Sequence, residues 1–190
     1  AFVVVLNETA MGVSIPHIME GFGVSAASAQ WLTTAFMLTM AVIIPITGVL
    51  LQRYSLRRNF FTAMGLFSVG TAIAAVAPVF EILLAARIVQ ALGTAVMLPL
   101  LFTTVMQLVA PEKRGRTMGL GTIVTAAAPA LGPTVSGVIV SSFGWRWMFI
   151  IVLPIALLAM VAGILWLRNV TPTMPARFDV LSVLLSAVGF

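Results

Sequence analysis

Glu8 and Arg87 each fall in the middle of a long apolar run, with almost nothing else ionisable beside them. A charge held at such depth in a bilayer costs ~3 kcal/mol on insertion scales, so it usually faces a cavity or a partner. A carboxyl tuned by burial could load and release a proton near neutral pH, or attract a cationic cargo. Its other role is structural, bonded to a neighbouring helix. Arginine stays charged at any physiological pH and cannot itself carry the proton. It could tune the carboxyl, hold water or bind an anion, or it could be a permanent partner for Glu8 or for helix-end carbonyls. Glu8, Gly12 and Ile15 share one helical face, flanked by Asn7 and Met11. Arg87, Gln90 and Thr94 stand at i, i+3 and i+7 and form one polar stripe. Asn7, Met11, Gln90 and Thr94 are therefore the candidates for the wall of a substrate cavity around the charged pair. His17 lies nearer a helix end and reads as an interfacial polar residue.

Elements that hold such residues must span a membrane. The chain of 190 residues is 61% hydrophobic and 8% charged, where a soluble domain carries about 25% charged residues. Apolar runs cover residues 1–19, 29–51, 60–77, 80–109, 117–140 and 147–167. A spanning helix needs about 20 such residues. The runs are continuous rather than alternating, which disfavours a β-barrel. The fold class expected is an all-α integral membrane protein: a six-helix bundle over residues 1–167, a linker at 168–178 and the start of a seventh helix at 179–190. Both termini lie inside apolar runs, so the sequence reads as a fragment cut at both ends, with no signal peptide.

The net charge of +5 sits between the runs. Arg53, Arg57 and Arg58 follow the second, Lys113, Arg114 and Arg116 the fourth, and Arg168 and Arg177 the sixth. The opposite loops carry Glu20, Glu81 and Arg146. The positive-inside rule then places the even-numbered exits and the N-terminus in the cytoplasm. Trp145 and Trp147 fall at the outer boundary, where amphipathic rings favour the headgroup layer. The basic residues form no continuous face for nucleic acid. Cysteine is absent, which excludes disulfides and thiolate sites, and one histidine builds no zinc site unaided. No metal and no organic cofactor is expected. Asn169-Val170-Thr171 matches a glycosylation sequon, but Pro172 follows in a loop expected to be cytoplasmic, and a chance match is the better reading.

The fifth run is rich in small residues and proline. Gly121, Thr125, Pro129, Pro133 and Gly137 recur every four residues on one ridge. Small residues allow close helix approach in lipid, and prolines favour kinks. Such a helix suits a rocking interface, and close packing alone explains the glycines equally. Met37, Met40, Met97 and Phe36 could line an adaptable apolar pocket or simply pack.

Taken in order, these segments resemble the N-terminal half of a major facilitator superfamily transporter. Leu6-Asn7-Glu8-Thr9 through Pro16 looks like the first-helix motif of its fourteen-span drug:proton antiporter branch. Leu83, Arg87, Gln90 and Gly93 match the fourth-helix motif, with Ala91 where glycine is common. Gly119, Ala128, Gly132, Pro133, Ser136 and Gly137 match the antiporter motif of the fifth helix. Gly48, Gln52, Arg53, Arg57 and Arg58 resemble the loop motif between helices two and three, with Gln52 in the aspartate position and Ser55 in a glycine position. Trp145-Arg146-Trp147 and Arg177-Phe178-Asp179 also look like that branch, and lincomycin-resistance-type exporters in particular.

The resemblance implies two inverted three-helix repeats and a site between two six-helix halves, of which the C-terminal half is missing here. It implies Glu8 as the proton-coupling acid, Arg87 as its modulator, Gln90 as part of the polar network and the fifth helix as the hinge. The function expected is efflux of small amphiphilic drugs across the cell membrane in exchange for protons, which act as the coupling ion. Two rivals stand beside it: a transporter of another cargo, such as a lipid, a siderophore or a biosynthetic product, and a receptor or scaffold that transports nothing. No phosphate loop or nucleophile–base set supports an enzyme. The expected partners are the bilayer, the cargo and the rest of the same chain.

Overall fold

The computed structural model describes residues 2–167. These residues form six helices: α1 (Phe2–Phe22), α2 (Ala26–Arg53), α3 (Leu56–Val76), α4 (Phe80–Leu108), α5 (Pro111–Phe143) and α6 (Arg146–Trp166). All six are long and apolar enough to cross a membrane. The linker at 168–178, the segment at 179–190, the sequon and Arg177-Phe178-Asp179 lie outside the described residues.

The helices overrun the apolar runs, and the physical reason is local. Residues 52–59 read as a basic loop, yet only Tyr54 and Ser55 separate α2 from α3. Ser55 caps α3 by accepting a bond from the Arg58 amide. Asn59 closes the turn, its Nδ2 donating to the carbonyls of Leu50 at 3.1 Å and Tyr54 at 3.0 Å. Residues 111–116 also read as loop, but they are the first turns of α5. Pro111 starts it, at a position where a missing amide costs nothing, and Glu112 faces the positive helix end. Arg114 donates through Nε to the Val109 carbonyl at the end of α4.

The packing is reciprocal, as two three-helix repeats require. The broad contacts are α1 on α5, α2 on α4 and α3 on α6. The α3–α4 contact is the broadest of all, while α1 and α6 meet only narrowly, and glycines explain the difference. A Cβ at Gly93 would fall on the Ala63 carbonyl and the Phe67 amide, and one at Gly70 on the backbone of Gln90 and Ala86. Each glycine admits the other helix's backbone. Pro99 lacks the amide that would bond the Ala95 carbonyl. Thr47 on α2 reaches that oxygen at 3.5 Å while donating to Ile43 at 3.0 Å.

At the end of the bundle where α6 begins, the structure corrects the reading of Trp145. It is buried in a core cluster with Phe149, Leu83 and Ile18, while Trp147 is exposed as expected. Arg146, an exception to the charge pattern, closes a helix end. Its Nη2 donates to the Ala77 carbonyl at 2.9 Å, and its guanidinium lies over Trp145 at 4.4 Å and Phe22 at 5.7 Å.

Candidate functional site

The buried stripe of α1 runs Val4, Asn7, Ala10, Met11, Ser14, Ile18. Glu8 stands at the edge of that stripe and is half-buried, whereas Gly12, Pro16 and His17 on the same flank are exposed. Asn7 points inward instead. Across from it, Arg87 on α4 is 1% exposed, an unusual depth for a guanidinium.

The buried cation is held by neutral groups. Its Nη1 donates to Asn7 Oδ1 at 3.1 Å and to Gln90 Oε1 at 2.9 Å. Its Cζ lies over the Phe36 ring of α2, 4.1 Å from the centroid, a distance at which the ring's negative face attracts a cation. Gln90 Nε2 donates to Thr71 Oγ1 at 2.7 Å, and Thr71 donates onward to the Phe67 carbonyl at 2.6 Å. Thr94 donates to the Gln90 carbonyl at 2.9 Å. Helices α1, α2, α3 and α4 therefore meet at one polar node. Arg87 Nε has no hydrogen-bond partner in the structure. Glu8 lies within electrostatic reach of Arg87, but the guanidinium bonds to Asn7 and Gln90 rather than to the carboxyl. The acid is thus left with one side open and a fixed positive charge behind it.

From the sequence, Asn7, Met11, Gln90 and Thr94 are expected on a cavity wall. All four are buried between helices of this bundle, so here they support the wall rather than form its surface. Thr71 and Gly70 are missing from the sequence reading, although Ser68 and Thr71 at i and i+3 in an apolar run mark a polar face. The glycine contact seats Gln90 against α3 and so aims its amide at Thr71. Replacing Thr71 with Val strands that amide donor. A buried donor without a partner costs about 1–3 kcal/mol, so Thr71→Val is expected to lower the melting temperature of the complete protein in detergent, whereas Thr71→Ser is expected to restore it.

Helix α5 presents a different ridge from the one the proline spacing suggests. Ala128, Gly132, Ser136 and Val140 are its buried residues. A Cβ at Gly132 would collide with Thr9, the neighbour of Glu8, so α5 touches α1 beside the acid. Pro129 and Pro133 are exposed, and neither Gly119 nor Gly137 would bring a Cβ within 4 Å of another helix. In the loop motif, Gly48, Gln52, Arg53 and Arg58 are exposed and Arg57 is half-buried. Of the four apolar residues considered for a pocket, Phe36 and Met97 are core, while Met37 and Met40 lie with Ile44 and Pro45 along an open depression on α2. No group of three or more metal-binding side chains occurs among the described residues.

Comparison with known proteins places this geometry. The sequence profile of the Major Facilitator Superfamily matches residues 1–182. The chain is 45% identical over 190 residues to an uncharacterized MFS-type transporter, YcnB, of Bacillus subtilis. It is 45% identical over 189 residues to the lincomycin resistance protein LmrB of the same organism. It is 33% identical over 184 residues to the putative multidrug resistance protein MdtD of Escherichia coli. In the two Bacillus comparisons all of this chain is covered, and it spans 40% of the relative's length; for MdtD the shares are 97% and 39%. The fold matches a crystal structure of the peptide transporter POT in complex with sulfate, with a TM-score of 0.75 at 17% identity, covering 99% of this chain and 42% of that one.

Proposed function

The chain belongs to the Major Facilitator Superfamily, and from that premise we propose that it is the N-terminal half of a proton-coupled exporter of small amphiphilic compounds, drugs among them. The observation that supports this most is the division of labour at the node. Neutral side chains hold Arg87 in the interior, which leaves the Glu8 carboxyl unbonded to it and open on one side. In a complete transporter the open flank of α1 faces the second six-helix half, and the cavity lies between them at mid-bilayer. Proton and cationic or amphiphilic cargo compete for Glu8. Alternating access exposes that carboxyl to each side in turn, and each ligand biases the same two-state equilibrium. Contact between Gly132 and Thr9 gives α5 a direct hold on the helix carrying the acid.

The same reading sets the orientation. Arg53, Arg57 and Arg58 at one turn and Lys113, Arg114 and Arg116 at another put these ends in the cytoplasm, and the N-terminus with them. The membrane is then the cell membrane.

The test is Glu8→Gln in the complete protein, reconstituted in proteoliposomes, with proton movement followed as a drug gradient is applied. Drug-driven proton release is expected to fall to the protein-free background while drug binding persists. Exchange at the unsubstituted rate would remove Glu8 from the coupling.

A further inference from the structure

Helices α2 and α3 share a two-residue turn but scarcely touch beyond it. They diverge, and Leu92 and Val96 of α4 back the gap. The result is a crevice of about 310 Å³ walled by Ile43 and Leu50 on one side and Leu66 on the other. That volume is at the lower end of small-molecule sites, which run roughly 300–1,000 Å³. Away from Tyr54, Arg58, Asn59 and Thr62 its walls are apolar, and it lies between two helices long enough to span a membrane, which suits an acyl chain. The residues that line it are absent from the Glu8–Arg87 node.

One end of the crevice is cationic. Arg58 and Tyr54 both line it, and the guanidinium lies over the Tyr54 ring at 4.4 Å. Arg57 lies over Phe61 at 5.6 Å. Arg53 and Arg58 are exposed and Arg57 is half-buried, so this turn offers guanidinium donors to an oxyanion. Arg53 is the last residue of α2, across the two-residue turn from the positive end of α3. No acidic residue occurs between Glu20 and Glu81, so nothing in α2 or α3 neutralises these charges. The two Asn59 bonds across the turn fix this end of the crevice in shape.

We propose that the crevice is a site for an anionic glycerophospholipid, with one acyl chain between α2 and α3 and the headgroup phosphate against Arg58 and Arg57. Basic pockets between spanning helices suit such headgroups. The proposal rests on the chain's place in a membrane, not on the export reading.

Native mass spectrometry of the complete protein tests it, with phosphatidylglycerol and phosphatidylcholine of identical acyl chains offered in turn. Phosphatidylglycerol is expected to be retained preferentially. Each arginine near an anionic headgroup accounts for about a fivefold change in affinity, so Arg57→Gln and Arg58→Gln are each expected to weaken retention by that factor. Thr62 is exposed and lines the crevice. Thr62→Trp fills it without touching the charges and is expected to weaken retention as well, while the arginine variants decide the matter even if this one folds poorly. Equal retention of the two lipids, full retention in the arginine variants, or displacement of the lipid by inorganic phosphate would each overturn the proposal. So would full retention in a folded Thr62→Trp variant.

Discussion

Replacing Arg87 with Met in the complete protein is expected to bring export down to the level of empty vesicles. Methionine keeps the unbranched apolar stem but stops short of the guanidinium, so the variant removes the charge and its donors and leaves a small gap beside Phe36. Three attachments go at once: the bonds to Asn7 and Gln90 and the cation over Phe36. Only the Asn7 bond crosses between helices, and a hydrogen bond between membrane helices is worth ~0.6–2 kcal/mol. The fold should therefore survive with a lower melting temperature, because helix packing does not depend on this node alone. Transport should not survive, since Glu8 loses the fixed positive charge behind it. Arg87→Lys separates the two contributions. It keeps the charge but lacks the planar fork that bonds two acceptors while lying flat on a ring. It should recover part of the export and less of the stability. Export by Arg87→Met at the unsubstituted rate would reduce the node to packing.

Gly93→Val is expected to yield almost no folded protein. The added Cβ would meet the Ala63 carbonyl and lie 2.7 Å from the Phe67 amide nitrogen, and both belong to the α3 backbone. Backbone inside a helix cannot rotate aside, so α3 and α4 must part along their whole contact. Overpacking of a tight core costs about 1–3 kcal/mol even where side chains can yield, and here none can. Parting also withdraws Gln90 from Thr71 and so dismantles the node. Gly163→Ala is the control. Its Cβ would meet the ring of Phe60, which is half-buried and can turn. Yield and melting temperature in detergent should therefore fall sharply for Gly93→Val and little for Gly163→Ala. A monodisperse Gly93→Val protein with an unchanged melting temperature would show that the α3–α4 distance is adjustable.

These two residues mark how far the sequence could be read. Arg87 is conspicuous in one dimension because its neighbours are apolar, and its stripe with Gln90 and Thr94 follows from helical spacing. Its partners are not conspicuous. Asn7 stands beside the more obvious Glu8, and which of the two meets Arg87 depends on the rotation of α1 about its axis. Gly93 is visible as a motif residue, but its counterpart Gly70 is one small residue among many in α3. The ridge on α5 shows the same limit. Two sets with a period of four are interleaved there, and the sequence favours the one with the prolines, while the helix buries Ala128, Gly132 and Ser136. Trp145 and Trp147 straddle one boundary, and only a packed neighbour at Phe149 distinguishes the core ring from the exposed one.

What the sequence determined by itself was whatever depends on solvent transfer and local backbone chemistry: six apolar spans, their approximate ends, the basic turns, and the presence of an acid and a guanidinium in regions that expel charge. Those quantities are sums over neighbours in the chain. What only the tertiary structure decided was pairing: Asn7 rather than Glu8 on Arg87, Thr71 beneath Gln90, Gly132 against Thr9, and the gap between α2 and α3. Each of these depends on how two helices are rotated and how closely they approach, and residues far apart along the chain set that jointly.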